Sequence, residues 1–135
     1  MNRGKASKSR WLICTTILCS LLTLGGAYPR DLLISEFMAD NAGTLMDDDG
    51  DYSDWIEILN TSHAPVDLHG WHLTDDATDL TKWRFPSALL NPGDYLVVFA
   101  SEKDRTDPAS ELHTNFKLDG GGEYLALVRP DGITV

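Results

Sequence analysis

Residues 47–86 constrain the fold of this chain more than any other stretch. They contain three short segments, 54–60, 66–74 and 80–85, in which apolar and polar side chains alternate between acidic or glycine-containing turns. Alternation with a period of two is typical of strands that bury one face, and short strands between turns are typical of two packed sheets. The sequence therefore predicts an all-β fold, a β-sandwich.

The rest of the chain adds three predicted strands and no segment with a helical period. Residues 95–100 are apolar throughout, as in a strand that is buried on both faces, and the proline and glycine of 91–94 predict a tight turn before it. Residues 101–113 are polar and predict a long loop, while the glycines at 120–122 predict a turn. The six predicted strands are residues 31–39, 54–60, 66–74, 80–85, 95–100 and 123–128.

The first 27 residues have the three regions of a secretory signal peptide. Four basic residues and no acidic ones lie in residues 1–10, a mostly apolar run follows at 11–24, and the small residues 25–27 come last. The apolar run is shorter than the roughly 20 residues that a membrane-spanning helix needs. We expect cleavage after Ala27, no stable membrane insertion afterwards, and a secreted or cell-surface location. An uncleaved signal anchor is the alternative.

Cleavage would leave one acidic, cysteine-free domain, residues 28–135. The chain has 11 Lys and Arg and 21 Asp and Glu, and four of the basic residues but none of the acidic ones precede residue 28. The remaining 7 basic and 21 acidic side chains give a formal net charge of −14, which argues against nucleic-acid or anionic-lipid partners. Because Cys14 and Cys19 lie in the leader, no disulfide stabilises this domain, and its stability must come from its core or a bound metal.

Six short segments of the domain carry a family resemblance. They are LISEFMA (33–39), DWIEILN (54–60), GWHLTD (70–75), RFP (84–86), GDYLVVF (93–99) and EYLAL (123–127). In this order they resemble the bacterial branch of the lamin tail domain family. The resemblance covers most of residues 32–135 and implies an immunoglobulin-like β-sandwich of secreted and cell-surface proteins.

The resemblance implies an accessory module and no reaction. Such domains often lie beside a CotH-like kinase domain, hydrolases or other sandwich domains. The chain has no coiled-coil heptads, so the filament assembly of nuclear lamins is not implied. Fold likeness alone is an analogy for function.

The acidic loop before the second strand is the candidate metal site. Alternating carboxylates are the hard oxygen ligands that Ca²⁺ selects, and we assign Asp47, Asp49, Asp51 and Asp54 as its ligands. The loop is not an EF-hand, because a tyrosine stands where the template starting at Asp47 requires glycine. Acidic residues of the turn at 75–79 are possible further ligands. The alternative is a solvated acidic loop that keeps the domain soluble.

No catalytic residue is predicted. The three tryptophans after the leader, Trp55, Trp71 and Trp83, lie in predicted strands, so core packing is favoured over stacking on a glycan. His69 and His72 are predicted to face opposite sides of one strand and cannot share a metal there. The chain has neither a Gly-x-Ser-x-Gly motif nor a Gly-rich phosphate loop.

Three functions are compatible with these patterns. The first is a non-catalytic extracellular module that attaches to a protein or glycan at the cell surface. The second is a calcium-dependent adhesion or carbohydrate-binding module. The third is the leading domain of a secreted enzyme: residues 129–132 predict a hairpin turn, and 133–135 begin a returning strand shorter than its partner, so we expect the chain to belong to a longer protein.

Overall fold

The computed structural model describes residues 31–135, and these residues confirm the predicted all-β fold. None of them forms a helix of the length and apolar character needed to cross a membrane. The predicted signal peptide, residues 1–27, lies outside the described residues. In chain order the strands are β1 (Leu32–Met38), β2 (Asp54–Asn60), β3 (Val66–Asp67), β4 (His72–Thr74), β5 (Trp83–Arg84), β6 (Leu89–Leu90), β7 (Tyr95–Ala100), β8 (Leu112–His113) and β9 (Ala126–Val128).

Strand β2 is at the centre of a four-stranded sheet. It pairs antiparallel with β1 on one side and with β7 on the other, and β8 lies parallel to β7. Its alternate residues Ile56 and Ile58 are fully buried, as a period of two requires. The strand predicted at 54–60 is therefore confirmed, and so is the one at 95–100.

A second layer of strands completes the sandwich. It consists of a three-stranded sheet in the order β5-β4-β9 and the two-stranded pair β3-β6. Buried side chains from both layers form one apolar cluster, which is how a β-sandwich builds its core. The aromatic members of this cluster are Trp71, Trp83, Phe85 and Phe116.

The aromatic residues around β5 pack as the alternation predicts. The rings of Trp83 and Phe85 lie edge to face, with centroids 4.9 Å apart, and Arg84 between them is exposed. Trp55, Trp71 and Trp83 are only 6 %, 7 % and 2 % exposed. The prediction that the tryptophans pack in the interior is confirmed.

The single strand predicted at 66–74 is wrong. The structure divides it into β3 and β4, which belong to different sheets. Gly70 lies between them with a φ of +81°, a left-handed conformation that favours glycine. The N–H of Trp71 donates to the carbonyl of Leu68 at 3.0 Å. This turn carries the chain from one sheet to the other, and alternation alone does not reveal it.

Other strand boundaries differ from the prediction at the edges of the sheets. The strands predicted at 80–85 and 123–128 are shortened to β5 and β9, and β6 is absent from the prediction. Residues 101–113 are not all loop, because they contain β8, and His113 also bridges to Arg105. Strands of two residues contain too little alternation to be recognised in a sequence.

The predicted turns are confirmed by their hydrogen bonds. The turns at 91–94, 120–122 and 129–132 are closed by N–H to carbonyl bonds of 3.0, 3.0 and 2.9 Å, respectively. Residues 133–135 form no strand within the described residues. The carbonyl of Thr134 nevertheless accepts a hydrogen bond from the N–H of Arg129 at 2.8 Å, beside the end of β9.

Replacing Phe85 by alanine should lower the free energy of unfolding by about 3–5 kcal/mol, because it leaves a cavity in a packed core. Urea denaturation followed by tryptophan fluorescence measures the change. Phe37 is 56 % exposed, so Phe37→Ala is the matched control, with an expected change within about 0.5 kcal/mol. Equal losses in the two variants would contradict the assignment of Phe85 to the core.

Candidate functional site

The buried side chain of Asn41 organises the loop that joins β1 to β2. Its amide nitrogen donates to the carbonyls of Leu45 and Ser53 at 2.6 and 2.8 Å. Its oxygen accepts the N–H groups of Gly43 and Thr44 at 3.2 and 2.9 Å. The Asn41 amide therefore satisfies backbone groups of the loop that have no partner in a sheet.

Asp47 organises the following turn of the same loop. Its Oδ1 atom accepts the N–H groups of Asp49 and Asp51 at 3.1 and 2.9 Å, and its Oδ2 atom accepts the hydroxyl of Ser53 at 3.0 Å. Gly50 takes the positive φ of +86° that this tight turn needs. Asp47 is consequently buried, at 4 % exposure, although it is a carboxylate in an acidic loop.

Three of the four predicted ligands converge on one point. One carboxylate oxygen from each of Asp47, Asp49 and Asp51 lies within 4.8 Å of the others. The ammonium of Lys103 lies among them, 2.7 Å from Asp47, 2.7 Å from Asp49 and 2.9 Å from Asp51. The cation between the three carboxylates is thus a side chain of the protein. We call Asp47, Asp49, Asp51 and Lys103 the ion cluster.

The backbone around Lys103 is shaped for this contact. Its neighbours Glu102 and Asp104 both have left-handed φ angles, +64° and +50°, which cost roughly 1–2 kcal/mol for a residue other than glycine. The N–H groups of these neighbours donate to the carbonyls of Phe116 and Thr114 at 3.3 and 3.1 Å. These two residues and their hydrogen bonds place Lys103 beside the acidic loop.

The protonation states of the ion cluster are strongly fixed. Burial by itself raises the pKa of Asp47, but hydrogen bonds from Lys103, Asp51 and Ser53 outweigh it and lower the pKa to about 2. Burial likewise opposes the charge of Lys103, yet the three carboxylates raise the pKa of its ammonium well above its ordinary value. Hydrogen bonds from Lys103 and Arg105 lower the pKa of Asp49. Asp47, Asp49 and Lys103 are therefore charged at neutral pH.

Two further contacts join the acidic loop to the chain after β7. The guanidinium of Arg105 lies 2.7 Å from the carboxylate of Asp49. In the opposite sense, the carboxylate of Glu111 accepts the N–H of Asp48 at 2.7 Å. The two loops therefore hold each other through charged groups on both sides.

Asp54, the fourth predicted ligand, is not among the carboxylates that converge on Lys103. Its carboxylate accepts the N–H of Asn41 at 3.0 Å and so helps to close the loop at the start of β2. The acidic turn at 75–79 does not join the cluster either. Asp75 pairs with Lys82 at 2.6 Å, and the carboxylate of Asp76 accepts the N–H of Thr78 at 2.7 Å.

A buried serine and histidine form a pair that sequence reasoning missed. The Oγ atom of Ser101 lies 2.8 Å from Nδ1 of His113, and the ring of His113 stacks on Phe99 at 5.3 Å. His113 is fully buried, whereas Ser101 is 8 % exposed and lines a surface depression beside Lys103. Burial lowers the pKa of His113, and the nearby charges of Lys103 and Arg105 lower it further. No local pattern in the sequence connects the two residues, which are 12 positions apart in a segment predicted as a loop.

The other histidines lie apart from the ion cluster. His63 is exposed, and exposed His69 contacts Arg84 at 3.4 Å. His72 is buried in β4, and burial lowers its pKa, with Arg84 adding to the effect. The prediction that His69 and His72 share one strand is wrong. The turn at Gly70 separates β3 from β4, and these two strands belong to different sheets.

The ion cluster is an intramolecular salt bridge at the surface, since the side chains of Asp49 and Asp51 are 38 % and 64 % exposed. Calcium takes six to eight oxygen ligands, and three carboxylates supply only some of such a set. The Lys103 ammonium already neutralises them and lies at the point where they meet. A metal ion would have to displace this side chain, and Asp47 would keep its hydrogen bonds to the loop.

The chain matches a known protein family over most of its length. A family model described as Lamin Tail Domain matches residues 26–135, which is most of the chain. No curated protein matches the sequence. The family match covers both the ion cluster and all nine strands of the sandwich.

Replacing Lys103 by methionine should lower the free energy of unfolding by about 2 kcal/mol at pH 7, because buried Asp47 loses a charged hydrogen-bond partner. Denaturant unfolding measures the loss. Lys117→Met is the matched control: its ion pair with Glu102 is 3.2 Å long but 61 % exposed on both sides. We expect a change within about 0.5 kcal/mol there. A Lys103→Met variant as stable as the wild type would show that the cluster is not structural.

The wild-type protein should also lose stability in acid through Asp47. The pKa of this carboxyl is lowered from 3.8 to about 2 on folding, so the stabilisation is complete above pH 3.8 and is lost as the pH falls towards 2. Unfolding measured from pH 5 to pH 2 should show the wild type and Lys103→Met converging over this window. A constant difference between them would contradict a charged Asp47.

Proposed function

Because this chain belongs to the lamin tail domain family, we propose that it is a non-catalytic attachment module of a larger secreted or cell-surface protein. Modules of this family are immunoglobulin-like and generally mediate interactions. The proposal adds an extracellular location, which the basic, apolar and small-residue order of residues 1–27 supports. In the alternative form of this proposal, the module is the leading domain of a secreted enzyme.

The structural contacts of the polar side chains in residues 31–135 support this proposal. The carboxylates that converge in residues 31–135 surround Lys103 and fix two loops. In the Ser101 and His113 pair, the imidazole is closed off from solvent. Catalysis needs a nucleophile, acid or base within reach of a substrate, and these groups instead stabilise the fold.

The surface charge favours a basic partner. All 21 acidic residues but only six of the basic ones lie in residues 31–135. Four of those basic side chains lie within 3.5 Å of a carboxylate, at the distances given for Lys82, Lys103, Arg105 and Lys117. Most of the acidic surface is left without a cation, and complementary charge steers basic partners to such a surface. Because the tryptophans are buried, a protein partner is favoured over a glycan.

A reporter protein joined after Val135 tests the proposal. In bacteria, the fusion should reach the outside of the cell, with an N-terminus at Tyr28 by mass spectrometry. It should stay on washed cells and be released in about 1 M salt, where charges are screened. The same fusion without residues 1–27 is the control and should stay inside. A cell-bound fusion that keeps residues 1–27 would indicate a membrane anchor, and an internal one would refute the proposal.

Calcium binding is the second candidate function, and the convergence of Asp47, Asp49 and Asp51 favours it. On this hypothesis the ion exchanges with the Lys103 ammonium and fixes the same loops. The module would then attach in a calcium-dependent way. The structural cost is the loss of the three contacts of Lys103.

Thermal melts in EDTA and in millimolar Ca²⁺ test this candidate. A calcium-binding loop predicts a higher Tm with calcium, and about 2.7 kcal/mol of added stability at a hundredfold excess over Kd. The response should disappear in the double variant Asp49→Asn, Asp51→Asn and persist in Asp104→Asn, Asp107→Asn, which removes the same charge elsewhere. The absence of any response in the wild type would leave the ion cluster as a purely intramolecular salt bridge.

A further inference from the structure

We propose that Glu111 and His113 form a pH switch between the acidic loop and the segment that follows β7. At neutral pH the carboxylate of Glu111 accepts the backbone N–H of Asp48, and in mild acid it turns to the protonated ring of His113. The contact between the two loops is then released while the sandwich stays folded. The switch goes beyond the proposed attachment function, since it requires no partner.

The ring of His113 is buried with a partner for one of its two nitrogens. Nδ1 lies 2.8 Å from Oγ of Ser101, and the ring stacks on Phe99. Nε2 is buried and has no hydrogen-bond partner within the described residues. A neutral imidazole has one N–H, whereas the protonated ring has an N–H on each nitrogen. Protonation therefore places a charged donor where an acceptor is missing, which is costly in the interior.

One oxygen atom of Glu111 is close enough to become that acceptor. Its Oε2 atom lies 4.0 Å from Nε2 of His113, which is beyond hydrogen-bonding distance, and a shift of about 1 Å would close the gap. The same atom accepts the N–H of Asp48 at 2.7 Å, so a move towards the ring lengthens that contact. The Glu111 side chain is 32 % exposed and has room to move. Asp48 is exposed as well, so water can accept its N–H.

The charges around the ring make Glu111 the group that responds to a proton. Burial is the main cause of the low pKa of His113; Lys103 and Arg105 lower the pKa further, and Asp47 and Glu111 raise it. Lys103 already neutralises Asp47 at 2.7 Å, and N–H groups of the acidic loop hold the Asp47 carboxylate in place. Glu111 faces a neutral N–H instead, so a new positive charge on the ring attracts its carboxylate.

The switch operates below the ordinary titration range of histidine. Because burial lowers the pKa of His113 from 6.5, the ring is neutral at pH 7 and takes up a proton only at lower pH. The unfolded chain binds this proton near pH 6.5. The stability that depends on the neutral ring is therefore complete above that pH and is lost as the pH falls below it. The loss through Asp47 occurs between pH 3.8 and about 2, so the two effects are separable.

The switch spans a depression on the outer face of the four-stranded sheet. Asp48 and Glu111 line this depression of about 490 Å³ together with Leu45, Val97 and Phe99. The last two residues alternate with core residues of β7 and so lie on its outer face. Release of the contact between Asp48 and Glu111 separates the walls of the depression and uncovers its apolar floor.

NMR titration of the full chain from about pH 8 to about pH 5, the range in which histidines titrate, tests the switch. The ring signals of His113 report its protonation, and the amide proton of Asp48 reports its hydrogen bond. We expect both to change with one midpoint below pH 6.5, because coupled groups share their titration. A neutral paramagnetic probe in solution should broaden the methyl signals of Val97 about twofold more after this local opening than before it.

Two matched variants separate the switch from a general effect of charge. Glu111→Gln keeps an oxygen acceptor but loses the negative charge, so the midpoint of His113 should fall by about one pH unit, or tenfold in proton affinity. Glu123→Gln removes the same charge where the carboxylate also accepts a backbone N–H, that of Asp119 at 2.6 Å. The midpoint of His113 should not change there. The midpoint of His72, which is buried in β4, should be the same in all three proteins.

Four results would overturn the proposal. A His113 ring that stays neutral at pH 5 in a folded chain would show that the interior admits no proton. An Asp48 amide that changes at another pH, or a Glu111→Gln variant with the wild-type midpoint, would show that Glu111 does not respond to the ring. Loss of the whole folded spectrum together with protonation of His113 would indicate global unfolding in acid. Export and retention of the reporter fusion test the attachment function separately from all of these results.

Discussion

The rest of the structure depends on the burial of one face of β2. Ile56 and Ile58 are fully buried between the two layers, and burial contributes about 0.8 kcal/mol for each methylene group. At the end of the strand, the buried side chain of Asn60 donates to the carbonyls of Ala64 and Leu90 at 3.0 and 2.8 Å. This amide joins the central strand to the second layer, in a domain whose sequence after residue 27 has no cysteine to do so.

A buried polar side chain also joins the loops of the domain, because the ion cluster is built around the buried Asp47. Asp47 is buried, and a buried carboxylate is tolerated only when it is paired and hydrogen-bonded. Lys103 satisfies the first condition and the N–H groups of the acidic loop satisfy the second. The arrangement fixes the loop before β2 to the loop after β7, at the ends of two strands that are neighbours in the sheet.

Long, regular strands could be predicted from the sequence, and contacts between distant residues could not. Residues 54–60 and 95–100 carry several alternations or an unbroken apolar run, so their positions follow from periodicity. The clustering of Asp47, Asp49 and Asp51 also follows from their spacing in one turn. Lys103 is 56 residues away from Asp47, and no local pattern connects them. Nearness in sequence groups Asp54 with the cluster, but the start of β2 directs its carboxylate to Asn41.

The pairing of β4 with β9 has a consequence for how the chain folds. His72 lies opposite Val128, so this sheet cannot close until almost all of the domain is present. Non-local antiparallel pairing slows folding, to milliseconds or seconds in small all-β domains. During that interval Trp71 and Leu73 lack the cover that they have in the native state, and an unclosed sheet of this kind is open to aggregation. The topology therefore makes the closure of this sheet a non-local event, and the high negative charge of the domain opposes association between chains in which the sheet is still open.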